Sequence, residues 1–352
     1  MIPLAEVLRR HWPAYLRKFG ARLLPSHRRA VQAILSCRTA ERGGQLYRCE
    51  CGRFHYAYHS CHHRACPQCG HADTTEWIEH RRRQLLPVPY YLMTFTVPEQ
   101  LRALIRSNPK TFYSLLLGQS AGALRDAARS HKNLQAHIGL LAVLHTWTRD
   151  LRYHPHVHCV VPAGGLSNDA LRWVRPKVSD YFLPQQLLAD RFRHRLKSAL
   201  SAHPLLFHQI PAQVWRTRWV ADVQPVGSGD AVLKYLGAYV YRSAFSAQKI
   251  FADDGTHVTF AWRDNQKRNR TTRLTAEAFL HRYLQHILPK GFQRIRYYGH
   301  WSPAAKARFQ RIAALLDWRA PALPPPTPLP PPTCPACGKP MICVGQLPRA
   351  PP

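Results

Sequence analysis

A short run with three histidines constrains the fold of this chain more than any other stretch. His154, His156 and His158 stand at every second position, and the run continues as apolar sequence to residue 161. Side chains two residues apart on a β-strand point to the same face, so the pattern predicts a strand with its imidazoles on one side. Residues four apart on a strand are roughly 13 Å apart, so at most two neighbouring histidines can bind one ion. His156 and His158, inside the apolar run, are the predicted pair of metal ligands.

A second predicted strand supplies a candidate third ligand. Residues 140–147 form an apolar run that a polar turn, residues 148–152, joins to the histidine run. If the two strands pair as an antiparallel hairpin, His145 lies near His156. His145 is therefore the predicted third ligand of the divalent ion. A strand histidine that only makes hydrogen bonds is the alternative interpretation.

Two tyrosines follow in a segment with helical character. Tyr235 and Tyr239 are four residues apart, so their phenols share a face if residues 230–243 are helical. Arg242 falls on the same stripe and is a candidate phosphate ligand. A packed aromatic stripe is the alternative interpretation of this spacing. Combined with the histidine pair, the tyrosines favour cleavage of a DNA strand whose end is held covalently on tyrosine.

The positive charge indicates a polyanionic partner. The 352 residues include 50 Lys and Arg against 19 Asp and Glu, which gives a formal net charge of +31. Basic side chains neutralise phosphates and release counterions, so we expect DNA as the partner and no small-molecule substrate. No apolar run approaches the roughly eighteen residues that a membrane span needs, and the N-terminus does not resemble a signal peptide. We therefore expect a cytoplasmic protein without a membrane partner.

Short-range cysteine pairs predict a zinc site. Most of the ten cysteines lie in such pairs, which favours metal ligation over disulfides in a chain that we expect to stay in a reducing compartment. Cys66 and Cys69 form a knuckle followed by glycine, and Cys49 and Cys51 form a tighter pair. These four are the predicted zinc ligands, and Cys61 or a nearby histidine could replace one of them.

Other cysteines fall outside this predicted site. Cys37 is assigned either to the core or to a second site. Near the C-terminus, Cys334 and Cys337 form half of a zinc ribbon, and the nearest further thiol in the sequence is Cys343. A three-thiol site and a disordered tail with reduced cysteines are both open interpretations of this end.

The secondary-structure patterns predict an α+β protein with four regions. These are a helical segment (1–36), a zinc-binding module (37–85), an antiparallel-sheet nuclease domain with helices on one face (86–318), and a proline-rich linker with a cysteine-containing tail (319–352). The predicted strands cover residues 90–97, 140–147, 156–161, 215–223 and 258–262, and the predicted helices cover 110–130, 184–200, 230–243 and 275–288.

Several motifs taken together resemble the HUH endonuclease superfamily, and most closely its rolling-circle insertion-sequence transposases of the two-tyrosine type. The resemblance covers nearly the whole chain. It rests on the strand at 92–98, the histidine run at 154–161, residues 234–239 with both tyrosines, the stretch 288–296, and the cysteine motifs near both ends.

The resemblance implies a mechanism and a setting. It implies that Mg²⁺ or Mn²⁺ on the histidine pair polarises the scissile phosphate, and that a tyrosine attacks it to form a 5′-phosphotyrosine and free a 3′-hydroxyl. It also implies Zn²⁺ in the N-terminal module. The implied partner is single-stranded or hairpin DNA at the ends of a mobile element, in a bacterial protein that is nucleoid-associated when active.

Two alternatives stay open at this point. A rolling-circle replication initiator or a relaxase would use the same chemistry. A non-catalytic, zinc-dependent DNA-binding protein would show no metal-dependent nicking.

Overall fold

The computed structural model describes residues 1–69, 71–178, 182–227, 229, 231–233, 237, 243–245, 249–264, 266–322 and 330–349. None of the helices in these ranges has the length and apolar character that crossing a bilayer requires. The helices are α1 (Leu4–Phe19), α2 (Pro25–Leu35), α3 (His71–Arg82), α4 (Arg102–Ser107), α5 (Pro109–Ser130), α6 (Gln185–Ser201), α7 (Pro204–Phe207), α8 (Ala276–Leu284) and α9 (Lys306–Leu315). The strands are β1 (Gly44–Arg48), β2 (Phe54–Tyr58), β3 (Tyr90–Thr96), β4 (Leu140–Trp147), β5 (Tyr153–Pro162), β6 (Gly165–Leu166), β7 (Trp173–Val174), β8 (Val220–Gly227), β9 (Ile250–Asp253), β10 (His257–Arg263), β11 (Asn269–Thr275), β12 (Ile295–Tyr298) and β13 (Ile342–Leu347).

A five-stranded antiparallel sheet forms the centre of the protein. Its strand order is β12-β4-β5-β3-β8, so β5 lies in the middle with β4 and β3 on its two sides. Helices α5 and α6 cover one face of this sheet and share a continuous apolar core with it. The predicted α+β class, with an antiparallel sheet and helices on one face, is confirmed.

The two faces of β5 have different chemistry because its side chains alternate. Val157, Cys159 and Val161 point to the helix side and lie in the main core. Val160 points to the other side, where it joins a second apolar cluster that includes Trp77 of α3. Further along that second face the apolar side chains are replaced by histidines, so part of the face is left for a polar site.

The N-terminal helices share a core with a distant part of the chain. Side chains of α1 and α2 pack with β10 and α8, and residues such as Phe260 and Phe279 are fully buried there. The imidazole of His11 is 3.0 Å from the Asp253 carboxylate, which links α1 to β9. The first region and residues 250–284 therefore stabilise each other.

Most predicted elements lie close to the observed ones. Thr275 caps α8 as predicted, because its Oγ1 accepts a hydrogen bond from Ala278 N at 3.2 Å. The predicted strand at 215–223 begins later, at Val220, because residues 212–215 form a 3₁₀ turn instead. Most of the predicted helix at 230–243 lies outside the described residues.

The C-terminal residues return to the N-terminal part of the chain. Strand β13 pairs antiparallel with β1, which also pairs with β2, giving a small sheet in the order β13-β1-β2. The tail at 330–349 is thus ordered, and the interpretation of a disordered tail is wrong for these residues.

Candidate active site and metal-ligand clusters

Three imidazoles meet on the second face of the central sheet. His145 of β4 lies directly opposite His156 of β5, and one ligand atom each from His145, His156 and His158 lie within 4.8 Å of one another. The ring centroids of His145 and His158 are 4.6 Å apart, and those of His156 and His158 are 4.8 Å apart. The structure thus forms the β4–β5 hairpin on which the choice of His145 depended. We call these three residues the histidine cluster.

Hydrogen bonds to the Nδ1 atoms fix the orientation of two of these rings. His156 Nδ1 donates to the backbone oxygen of His154 at 2.6 Å. His158 Nδ1 lies 3.1 Å from Thr94 Oγ1 of the adjacent strand β3. Because Nδ1 of His156 donates, the lone pair of that ring is on Nε2, which is the atom that a metal ion would bind.

Burial keeps the two β5 imidazoles neutral. It lowers the pKa of His156 to about 4 and, together with repulsion from His156, holds the pKa of His158 well below its usual range. A neutral imidazole has a lone pair to offer, whereas a protonated one does not. The donor set therefore fits a divalent cation.

The histidine cluster lines a large cavity whose other walls carry basic and aromatic side chains. The cavity measures about 910 Å³ and lies between the central sheet and the β10–β11 hairpin. Arg149 joins the two walls, because its guanidinium donates to the backbone oxygen of Arg263 at 3.1 Å. The side chains that line it include Trp147, Arg149, Lys249, Trp262, Arg263 and Lys267.

A carboxylate that the sequence analysis missed also lines this cavity. Asp222 of β8 pairs with Thr94 of β3, which in turn pairs with His158, so the three side chains form one row across the sheet. Gln224 Nε2 donates to the Asp222 carboxylate at 2.6 Å. The alternation of the predicted strand indicates that Asp222 and the apolar Ala221 point to opposite faces of the sheet. It does not indicate which strand lies beside β8, so it could not show that Asp222 is close to a histidine.

The predicted tyrosines and their arginine cannot be placed. Tyr235, Tyr239 and Arg242 all lie outside the described residues. Their roles therefore stay predictions.

Four cysteines form a compact cluster within the N-terminal part of the chain. Sulfur atoms of Cys37, Cys61, Cys66 and Cys69 lie within 4.8 Å of one another. Cys69 Sγ is 3.5 Å from both Cys37 Sγ and Cys61 Sγ. We call these residues the inner cysteine cluster, and they correct the expectation that Cys37 lies outside the site.

The protonation of these thiols fits a bound cation. Hydrogen bonds, chiefly from Cys66, lower the pKa of Cys61 to about 5, and the same contact raises the pKa of Cys66. Burial raises the pKa of Cys37 to about 11. Thiols this close oppose each other's ionisation, and a metal ion removes that opposition because coordinated thiols are deprotonated.

The remaining predicted zinc ligands belong to a different group. Cys49 and Cys51 lie with Cys334 and Cys337, and the four sulfur atoms are again within 4.8 Å of one another. We call this group the terminal cysteine cluster. The prediction of one site containing Cys49, Cys51, Cys66 and Cys69 is therefore wrong, because these residues belong to two clusters. The pairing of β13 with β1 brings Cys334 and Cys337 to Cys49 and Cys51.

Comparisons with known proteins agree with this arrangement. Residues 139–308 match the family described as "Putative transposase", and residues 7–97 match the family described as "Transposase zinc-binding domain". The chain is 35% identical over 345 residues to "Putative transposase y4qJ" of Sinorhizobium fredii, covering 92% of this chain and 86% of that protein. It is 29% identical over 315 residues to "Transposase for insertion sequence element IS801" of Pseudomonas savastanoi pv. phaseolicola, covering 82% and 73%.

The chain belongs to the insertion-sequence transposases of the two-tyrosine type. No solved structure gives a significant match. The inner cysteine cluster lies entirely within the matched zinc-binding domain, and the histidine cluster lies within the other matched region. This transposase therefore acts on DNA and has a zinc-binding domain at its N-terminal side.

Proposed function

We propose that this transposase nicks and rejoins single DNA strands through a 5′-phosphotyrosine intermediate, as in rolling-circle transposition. The observation that supports it most is the histidine cluster itself. Three imidazoles on two adjacent strands converge at the wall of a cavity whose lining includes several basic side chains. Three protein ligands with a side open to a cavity are typical of catalytic metal sites, whereas structural sites are closed by four ligands.

We assign different roles in cleavage to different residues of the cavity. A divalent ion, Mg²⁺ or Mn²⁺, would supply charge stabilisation to the scissile phosphate, held by His145, His156 and His158. Arg149, Lys249 and Lys267 would contact the neighbouring phosphates and hold the strand in register. Positioning of this kind lowers the barrier because the reacting groups are held together before the reaction.

The residues that flank the tyrosine segment lie on the histidine side of the central sheet. Val232 and Leu233, which precede it, are buried in the apolar cluster on the histidine side of the sheet. Ala244, which follows it, lines the cavity. This supports Tyr235 and Tyr239 as the nucleophiles. The tyrosine hydroxyl loses its proton as its oxygen bonds to phosphorus, the bond from phosphorus to the 3′ oxygen breaks, and the 3′ oxygen takes up a proton.

The aromatic lining supports a preference for unpaired DNA. Trp147 and Trp262 both line the cavity beside the cations. Exposed aromatic rings stack on bases of single strands, and nearby cations follow the backbone. We therefore propose single-stranded or hairpin ends of the mobile element as the substrate.

The test is a nicking assay on a single-stranded oligonucleotide from an element end, with Mg²⁺ or Mn²⁺. His156→Ala should reduce the nicking rate at least about 10³-fold, since the ion stabilises transition-state charge by several kcal/mol. DNA affinity should change little, because phosphate contacts dominate it. His194→Ala is the matched control, since His194 is an exposed residue of α6 on the other side of the sheet.

Two results would contradict the proposal. Full-rate nicking by His156→Ala would exclude the histidine cluster as the metal site. Metal-independent binding with no nicking by the unaltered protein would favour the non-catalytic DNA-binding alternative.

A further inference from the structure

The C-terminal strand brings a second pair of cysteines to the zinc-binding domain. Strand β13 runs antiparallel to β1, with Gly44 opposite Leu347 and Arg48 opposite Ile342. The ends of these two strands place the residues after Arg48 next to those before Ile342. Cys49 and Cys51 come from the first segment, and the second segment contains Cys334 and Cys337.

Both cysteine pairs lie in tight turns that a glycine closes. In the first, Gly52 N donates to Cys49 O at 2.9 Å, and Gly52 has a φ of 83°. In the second, Gly338 N donates to Cys334 O at 2.8 Å, and Gly338 has a φ of 70°. A left-handed φ favours glycine, so each turn is closed by the residue type that it requires.

The thiols have the spacing of a tetrahedral metal site. Cys49 Sγ is 3.4 Å from Cys337 Sγ, and Cys51 Sγ is 3.7 Å from Cys334 Sγ. Zinc–sulfur bonds of roughly 2.3 Å place tetrahedral ligands about 3.8 Å apart. A disulfide would need about 2.05 Å between the sulfur atoms, so the pairs are not arranged as disulfides.

The small sheet has too little apolar core to hold the tail by packing alone. Its buried cluster consists of Cys49, Cys334 and Met341, with Tyr47 packed against them. Ile342 and Val344 of β13 remain exposed, at 67% and 50%. The Lys339–Glu50 ion pair, 3.0 Å long, crosses the same contact, but it is largely exposed and so contributes little. Small units of this kind usually depend on a metal ion.

We propose that the terminal cysteine cluster is a second Zn²⁺ site, independent of the inner cysteine cluster, that fastens the C-terminal tail to the zinc-binding domain. All four ligands are thiolates, a set that favours zinc among the common metals. Two of the four lie beyond residues 7–97, so the site is completed outside the matched zinc-binding domain. The full-length chain then binds two zinc ions.

The first test is the metal content of the purified full-length protein, measured by mass spectrometry of the elements. The unaltered protein should contain two zinc ions per chain, and the variant Cys334→Ser/Cys337→Ser should contain one. Cys343→Ser is the matched control, because Cys343 is an exposed thiol of β13 outside the cluster, and it should keep both ions. One zinc in the unaltered protein, two in the double variant, or iron in place of the second zinc would overturn the proposal.

Hydrogen exchange provides a second measurement. In Cys334→Ser/Cys337→Ser, amides of β13 and β1 should exchange at least tenfold faster than in the Cys343→Ser control. Amides of β4 and β5 should be unchanged, which shows that the rest of the protein is folded. Unchanged protection of β13 in the double variant would contradict a fastening role for the metal.

Discussion

The histidine cluster and the inner cysteine cluster bring their side chains together in opposite ways. The histidines stand on β4 and β5, where backbone pairing and the main core fix their positions. Cys37 follows α2 and the other three cysteines come from the irregular residues 61–69, so none of the four stands on a strand. Cys37 and Cys66 are buried in the core that α1 and α2 share with α8.

This difference indicates which of the two clusters needs a bound metal ion to keep its fold. The sheet holds the histidines whether or not a metal is bound, so that site can be open on one side and serve chemistry. The cysteine loops have little backbone pairing of their own, so four thiolates around an ion have to organise them. One site should therefore fail in function without loss of fold, and the other should fail in fold.

The largest expected effect is the loss of chemistry with the fold preserved. The double variant Tyr235→Phe/Tyr239→Phe should form no covalent adduct with single-stranded DNA, because both nucleophilic oxygens are removed. Each single variant should still form some adduct but fail or slow markedly at complete transposition. Adduct is measured by gel shift and DNA binding by titration, and binding should persist.

Tyr56→Phe is the control for this series, since Tyr56 is an exposed residue of β2. Adduct formation by the double variant at the unaltered rate would mean that the nucleophile lies elsewhere, with Tyr241 the first residue to test. Normal transposition by one single variant would replace the two-tyrosine scheme with a one-tyrosine scheme.

A smaller effect is expected where the inner cysteine cluster is broken. Cys66→Ser should lower the free energy of unfolding by more than about 3 kcal/mol, because the protein loses a structural metal and leaves a buried polar group. The measurement is denaturant unfolding followed by circular dichroism, with Cys343→Ser as the control. Recognition of element ends should weaken as well. An unchanged denaturant midpoint in Cys66→Ser would show that the fold does not depend on the inner cysteine cluster, contrary to the difference drawn between the two sites.

The smallest effect is expected from loss of the contact between Thr94 and His158. Thr94→Val removes the hydroxyl that contacts His158 Nδ1, so the ring is held less well. Loss of such a supporting hydrogen bond typically weakens metal binding by about 10–100-fold. The Mn²⁺ concentration needed for half-maximal nicking should rise accordingly, while Thr94→Ser should restore it. An equal Mn²⁺ requirement in Thr94→Val would show that the sheet alone fixes the ring.

Local patterns in the sequence were enough to bring the three histidines together but not to group the cysteines correctly. The alternation around His156 and the short turn before it predict the β4–β5 hairpin, and with it the place of His145. Asp222 and Thr94 were missed because strand order is not encoded in any one strand. The grouping of Cys49 and Cys51 was missed for the same reason, since Cys334 is 283 residues beyond Cys51.

The pairing of β13 with β1 also affects the order in which the chain can fold during synthesis. Strands β1 and β2 leave the ribosome long before their third strand, β13, has been made. At about 5–20 residues per second, the interval between Cys51 and Cys334 corresponds to roughly 15–60 s. During that interval Cys49 and Cys51 have no partner thiols from the terminal cluster, so the nascent protein exposes an incomplete ligand pair until Cys334 and Cys337 have been made.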